Sequence, residues 1–455
     1  MNSSNKTHDL WNYRKIVTEE DIKQLLGDEK INVPSRIQLL TPAVATDLKD
    51  HARSGDRGVV SYMSLVDNAD TKKTEYSYSK YIENKSEIMK DIGVWKPVIP
   101  NMEILPRFSW FLQFKFILEK SMTSKDDEIF YIIDNPVCKE KIFKVPMYPA
   151  SSWKGRLRWV ASKNWIEHDG SAEGRLRLSL LFGDETGEEG GRGLSVYLDN
   201  AHNESKAQYR KMLKQVFGIG SNEDMPHHAG KLYFYPTFFN RIGLEVINPH
   251  DRKTRAGTKP IYFECVPMGA DGHFSLLFVP RDNSDYSVIG VIQDIRFTLK
   301  ALSDMFLLYG FGAKTSSGFG VAKPDLTEGN IILKAVGIEA NQKEIEKPQP
   351  PEEVYEKYLN ENGSVKEEFR GSGKAGLLSS PEYHEKGNQL GGGGFKEFGR
   401  FKQWYVKSSE RWQKHLKSKD APAPEWPNWT FSSFKELAEL AEQIEKSLNP
   451  QEGPR

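Results

Sequence analysis

The chain has 455 residues, with 63 basic and 63 acidic side chains, so any surface for a polyanion is local rather than global. The length allows two to three domains, and two cysteines without a CxxC pattern (Cys138 and Cys265) support neither a disulfide framework nor a zinc site. The start, "MNSSNKTHDLWNYRKI", lacks the apolar core of a signal peptide and no window approaches 18 apolar residues; the expectation is a soluble, cytoplasmic protein with no membrane partner.

The first hundred residues are mixed and weakly periodic, and "KPVIPNMEILP" separates them from the more regular chain beyond. The run 110–118, "WFLQFKFIL", then alternates Leu112, Phe114, Phe116 and Leu118 against Gln113 and Lys115, which predicts a half-buried strand. Residues 151–166 change to helical spacing, with Trp153, Leu157, Val160 or Ala161, and Trp165 on one stripe and Ser151 and Ser152 placed to cap it. Strands are predicted at 231–239, 261–266 and 273–280. A second helix runs from Val288 to about Leu308, stopped by Gly310, and a last strand lies at 330–336. The order β, α, β, β, α, β predicts an α+β fold of the ferredoxin-like type, with helices on one face of an antiparallel sheet.

Two excursions interrupt this order, at about 184–229 and 240–260. Beyond it lie a charged, proline- and glycine-bearing stretch over 337–394, expected to be a flexible linker, and helical patterns at 395–418 and 433–448. The expected division is an N-terminal extension over 1–107, a core over 108–336, that linker, and a helical C-terminal extension over 395–455. Phe398, Phe401, Trp404, Tyr405 and Trp412 in the extension suit packing onto a core or neighbour better than base stacking.

The most informative stretch is 310–320, "GFGAKTSSGFG", where four glycines, one lysine and three hydroxyl residues occupy eleven positions. A nucleotide P-loop is excluded, because Leu308 and Ala313 stand where its glycines belong and the loop follows a helix instead of a strand. A helix C-cap with a glycine turn accounts for Gly310 alone. Gly310, Gly312, Gly318 and Gly320 let a backbone approach closely, while Lys314, Thr315, Ser316 and Ser317 satisfy phosphate oxygens. Eleven residues of this kind suit an extended polynucleotide backbone.

These residues resemble the RAMP superfamily, the repeat-associated backbone subunits of CRISPR effector complexes. A second block agrees: Asp134-Asn135-Pro136, then Pro146, Pro149, Ser151, Ser152, Lys154, Gly155 and Arg158 leading into the first helix. Ala150 and Trp153 depart from the usual glycine and smaller apolar residue, while "LLFG" (180–183) and "GKLYFYPTFF" continue the family's course. The likeness spans roughly 108–336.

The resemblance implies a Cas7-type subunit of a type III effector, with an insertion-bearing type III-D-like position fitting the 184–229 excursion. Its partners would be CRISPR RNA, target RNA, other RAMP subunits and a large signature subunit. The glycine loop and first helix would grip the guide backbone, and Asp134 would be the residue for target cleavage, binding a divalent cation (Mg2+ or Mn2+) or accepting a proton. Seven basic residues between Asp134 and Trp165, among them Lys154, Arg156, Arg158 and Lys163 on the helix, support the phosphate role independently. The segment 247–260, with His250, Arg252, Lys253 and Arg255, is the candidate for a thumb-like hairpin. Two alternatives stay open: a structural guide-binding subunit without cleavage, and a precursor-processing endoribonuclease using His51 or His168 as base.

Overall fold

The structure is a computed structural model that describes residues 18–28, 30–41, 47–54, 62–66, 77–126, 131–184, 193–224, 227–250, 253–254, 256–257, 260–281, 287–334, 351–360, 362–386, 393–420 and 426–448. The chain divides into two compact units, residues 1–340 with 428–455, and residues 341–427.

Among its described residues the larger unit begins with the helices α1 (Glu19–Gly27), α2 (Val33–Leu39), α3 (Lys49–Ser54), α4 (Tyr62–Val66) and α5 (Tyr78–Asp91). Strand β1 (Trp110–Ile117) and the short β2 (Met147–Tyr148) precede α6 (Ala150–His168) and α7 (Ala172–Phe182). The predicted excursion at 184–229 contains α8 (Leu194–Ala201) and α9 (Asn203–Phe217), the latter set against α7 through Tyr209 and Leu213. Strands β3 (Leu232–Phe234), β4 (Thr237–Phe238), β5 (Gly243–Ile247), β6 (Ile261–Cys265) and β7 (Asp271–Phe278) lead to α10 (Val288–Asp304), a π-helical turn (Met305–Tyr309) and β8 (Asp325–Leu333).

The main sheet is antiparallel with order β3-β7-β1-β8, extended at the β8 edge by β9 (Asn428–Ser433). Taking β1, β3, β7 and β8 as first to fourth, this is the ferredoxin-like order, with α6 and α10 as its helices. Alternation in β1 explains its central place. Leu112, Phe114 and Phe116 are fully buried, Phe114 lying 5.4 Å from Phe306 and Phe116 6.3 Å from Trp153 between ring centroids.

The predicted strand at 261–265 forms, and it pairs with β5 in a separate ribbon. Two expectations are corrected. The polar side of β1 is not open: Gln113 donates to the Pro97 carbonyl at 3.0 Å and to Ser275 Oγ at 2.8 Å, because the chain after α5 runs across that face. The C-terminal extension is not wholly helical. β9 pairs with β8, covering donors and acceptors a bare edge would expose, and α13 (Phe434–Leu448) buries Phe434, Leu437, Leu440, Ala441 and Ile444.

The smaller unit holds α11 (Ser380–Lys386) and α12 (Phe395–Asp420) around its own core of Tyr355, Tyr358, Phe369, Tyr383, Phe398 and Phe401. Part of the stretch expected to be a linker is thus packed: its aromatic residues find each other despite polar and glycine-rich surroundings.

Candidate nucleic-acid interface

The glycine loop is built to hold itself first. Gly310, Gly312, Gly318 and Gly320 all have positive φ, and Lys314 lies in the left-handed region at 59°. A Cβ on Gly320 would stand 1.9 Å from the Phe311 carbonyl oxygen; on Gly310 it would meet that of Phe319, and on Gly312 that of Thr123, each at 2.4 Å. These three glycines therefore give clearance to the protein's own backbone. Only Gly318 faces open space. The loop closes through Phe311 N–H to the Gly320 carbonyl at 3.0 Å, and is tied to the chain leaving β1 by Gly320 N–H to Ser121 O (2.9 Å) and Ala313 N–H to Thr123 O (2.7 Å). What remains outside is the tip, where Lys314, Ser316, Ser317 and Gly318 are exposed and residues 315–317 form a single 3-10 turn.

Helix α6 abuts this loop. Its N-cap is Pro149, with no side-chain cap, so Ser151 and Ser152 are not caps but sit inside the first turn. Their position leaves the terminal amides without a side-chain acceptor, the arrangement that favours an anion. Lys154 and Arg158 are half-buried on the same helix. Arg156 is turned toward the protein: Nε donates to the Gly310 carbonyl at 2.7 Å, and Nη2 to the Tyr309 carbonyl at 2.6 Å and to Thr315 Oγ1 at 3.3 Å. Partial burial pulls its pKa below the usual guanidinium value. Its direct partners are loop carbonyls, so it clamps the loop to the helix. Gly312 N–H donates to Tyr148 Oη at 3.2 Å, adding a second tie. Trp153, the departure from the family pattern, fills the core beneath, its Nε1 donating to Thr237 Oγ1 at 3.0 Å.

Strand β6 brings in the remaining parts. Lys314 Nζ lies 5.3 Å from the centre of the Phe263 ring. The next residue, Glu264, is fully buried and organises the segment that carries Asp134. Its carboxylate accepts from Lys139 Nζ, from the Tyr62 hydroxyl, from Tyr131 Oη at 2.9 Å and from Val137 N–H at 3.0 Å. Its backbone N–H donates to the Asn135 carbonyl at 3.0 Å, and its carbonyl accepts from Thr123 Oγ1 at 3.1 Å. Burial, reinforced by the Glu264 charge, raises the pKa values of Tyr62 and Tyr131 well above the phenolic range. Thr123 therefore bonds both the glycine loop and β6, and β6 fixes the 131–139 segment.

Asp134 itself is exposed, and its Oδ1 accepts from Lys49 Nζ at 2.7 Å. Among the described residues, the donors around Asp134 do not fit a divalent cation. The carboxylate is already engaged by an ammonium, and among the described residues no three His, Cys, Asp or Glu side chains gather as a metal site. Asp127 and Glu128, further carboxylates shortly before Asp134 in the sequence, lie outside the described residues. So do Arg252 and Arg255 of the hairpin, whose His250 and Lys253 are exposed beyond β5. The histidines weighed as bases stand apart in role: His51 Nε2 is 3.7 Å from Glu19, and His168 is in the last turn of α6, about 25 Å along the axis from Ser151.

Sequence reasoning missed Lys49, Tyr62, Tyr131, Lys139 and Glu264. The one legible signal was Glu264, a charge between Phe263 and Cys265 in an otherwise apolar strand. The other four act through contacts distant in sequence.

The antiparallel sheet, the clamped glycine loop and the uncapped first helix define a ferredoxin-like α+β scaffold. The family model described as the RAMP superfamily matches residues 36–323, and the chain belongs to that superfamily. The match reaches well into the N-terminal region that the sequence motifs left uncovered. Among solved structures, a chain of the type III-B Cmr-beta complex bound to cognate target RNA shares 12% identity, with 70% of this chain and 99% of that chain covered at a TM-score of 0.37. A chain of the Csm3-Csm4 subcomplex in the type III-A CRISPR-Cas interference complex shares 14%, covering 51% of this chain and 82% of that chain at a TM-score of 0.25. No curated protein matches. Among the described residues no helix is long and apolar enough to cross a membrane.

Proposed function

We propose that the chain is a backbone subunit of a type III CRISPR effector ribonucleoprotein. It holds CRISPR RNA at Lys314–Gly318 and the first turns of α6, and it cuts target RNA beside Asp134. The observation that carries the reading is the loop itself. Its backbone is closed on the protein by three tightly packed glycines and Arg156, while a lysine, two serines and an open glycine are left facing outward. Such a tip contacts phosphates without reading bases, as a guide of arbitrary sequence requires.

Cleavage by this site would use the substrate's own ribose. The 2′-OH attacks the adjacent phosphorus in line, a 2′,3′-cyclic phosphate forms, and the bond to the 5′-oxygen breaks, that oxygen taking a proton from water. Asp134 accepts the hydroxyl proton, and Lys49 stabilises the negative charge that gathers on the phosphoryl oxygens. The Glu264 network sets where the Asp134 segment stands. A second reading, a guide-holding subunit without cleavage, is favoured by the same ion pair, since Lys49 also serves simply to anchor the segment to α3.

The test is target-RNA cleavage by the assembled complex carrying Asp134→Asn. Loss of one cut with RNA retained supports the first reading, and an unchanged ladder leaves the second. A chain that purifies without RNA and binds no oligoribonucleotide overturns both.

A further inference from the structure

One surface feature beside the loop is used by neither its closure nor the Asp134 segment. On α6, Ser151, Gly155 and Trp159 are exposed at four-residue intervals and form one solvent-facing stripe. A Cβ on Gly155 would meet nothing within 4 Å, so the stripe is flat between the first turn and Trp159. Trp159 is 43% exposed, unusual for the largest apolar side chain on a helix whose other two tryptophans are buried. Its ring is held in place. Tyr309 packs edge-on at 5.3 Å, and the Arg156 guanidinium lies 4.4 Å from its centre. Lys163, one turn further on and bound to Glu167 at 2.6 Å, sits 5.7 Å from the Tyr309 ring.

We propose that Trp159 is a stacking platform for an unpaired base of the RNA held at the glycine loop. This rests on the reading of that loop as an RNA contact. The continuity is physical, because Tyr309 immediately precedes Gly310 and Arg156 touches both the Trp159 ring and the loop carbonyls. An exposed, pre-oriented indole braced by one guanidinium suits a base, which stacks on the ring's exposed surface. Stacking accepts any base, so the platform adds affinity without reading sequence.

The experiment measures binding of the full chain to a labelled single-stranded oligoribonucleotide and to the same strand with abasic residues. Trp159→Ala is expected to weaken binding to the normal strand by about five- to 140-fold. It should leave binding to the abasic strand nearly unchanged, and Trp159→Phe should recover most of the loss. An unchanged melting temperature separates the effect from unfolding. Wild-type binding that Trp159→Ala does not alter overturns the platform while the loop reading stands. Equal loss on both strands also overturns it, by showing that Trp159 acts only through Arg156. Unaltered RNA binding with lost association of other subunits would make the patch a protein contact instead. A wild-type chain that binds neither strand removes the platform and the loop reading together.

Discussion

Arg156 would pass in the sequence for a phosphate ligand, and its geometry assigns it another task. Two charge-assisted bonds to the Tyr309 and Gly310 carbonyls, at 2.6 and 2.7 Å, tie the loop to α6. Bonds to a charged group contribute about 1.5–3 kcal/mol each. The guanidinium is half-buried, so water replaces part of both when it is removed, and Arg156→Ala should cost about 2–4 kcal/mol of stability. Lys314, exposed on the tip, should behave in the opposite way. The decisive assay combines urea denaturation with the salt dependence of RNA affinity. For single strands, the slope of log K against log salt changes by about 0.7 per phosphate contact. Lys314→Ala should lower the slope by about that amount and leave the urea midpoint in place. Arg156→Ala should lower the midpoint and weaken binding at every salt concentration without changing the slope. A slope reduced by about 0.7 in Arg156→Ala, with stability intact, would refute the clamp.

Three further outcomes are expected. Glu264→Gln should destabilise the larger unit by about 3–5 kcal/mol, because the buried Lys139 ammonium loses its counter-charge, whereas Glu264→Gln with Lys139→Met should recover much of the loss in the same denaturation assay. Gly320→Ala should cost more than about 2 kcal/mol, from its φ of +74° and the collision with the Phe311 carbonyl, and should lower the midpoint of thermal unfolding. In the smaller unit, Glu382 accepts from the backbone and side chain of Ser372 and from Ser379 N–H, and the Ser379 bond leads in holding its carboxyl down to about 2. A depressed carboxyl contributes stability above its ordinary value near 4.5 and loses it as pH falls toward 2. Glu382→Gln should therefore flatten that part of the pH–stability curve, followed by near-ultraviolet circular dichroism.

The elements legible in advance were those whose period is written locally. The alternation of "WFLQFKFIL" placed β1, the 3.6 spacing of Trp153, Leu157 and Trp165 placed α6, and Val288 to Leu302 placed α10. The glycine loop was also legible, as a cluster of residues with unusual backbone freedom. Its interior was not: nothing local distinguishes Gly318, which faces solvent, from Gly320, which is pressed against Phe311. Arg156 and Lys314 looked alike in sequence because a charge shows no direction until its neighbours are placed. β6 was legible as a strand but its place in a ribbon with β5 was not, because a local pattern shows that a strand forms, but not which edge it pairs with.

By itself, then, the sequence determined the class of fold and the position of the loop, since hydrophobic period and glycine content act over a few residues. The tertiary structure alone decided three other matters. It brought Lys49 to Asp134, 85 residues away in the chain, and gathered Tyr62, Tyr131 and Lys139 around Glu264. It also returned β9 to the edge of β8. The last two rest on satisfying a buried charge and an open sheet edge, and in all three the partner is set by the packing of the whole unit, beyond the reach of any local pattern.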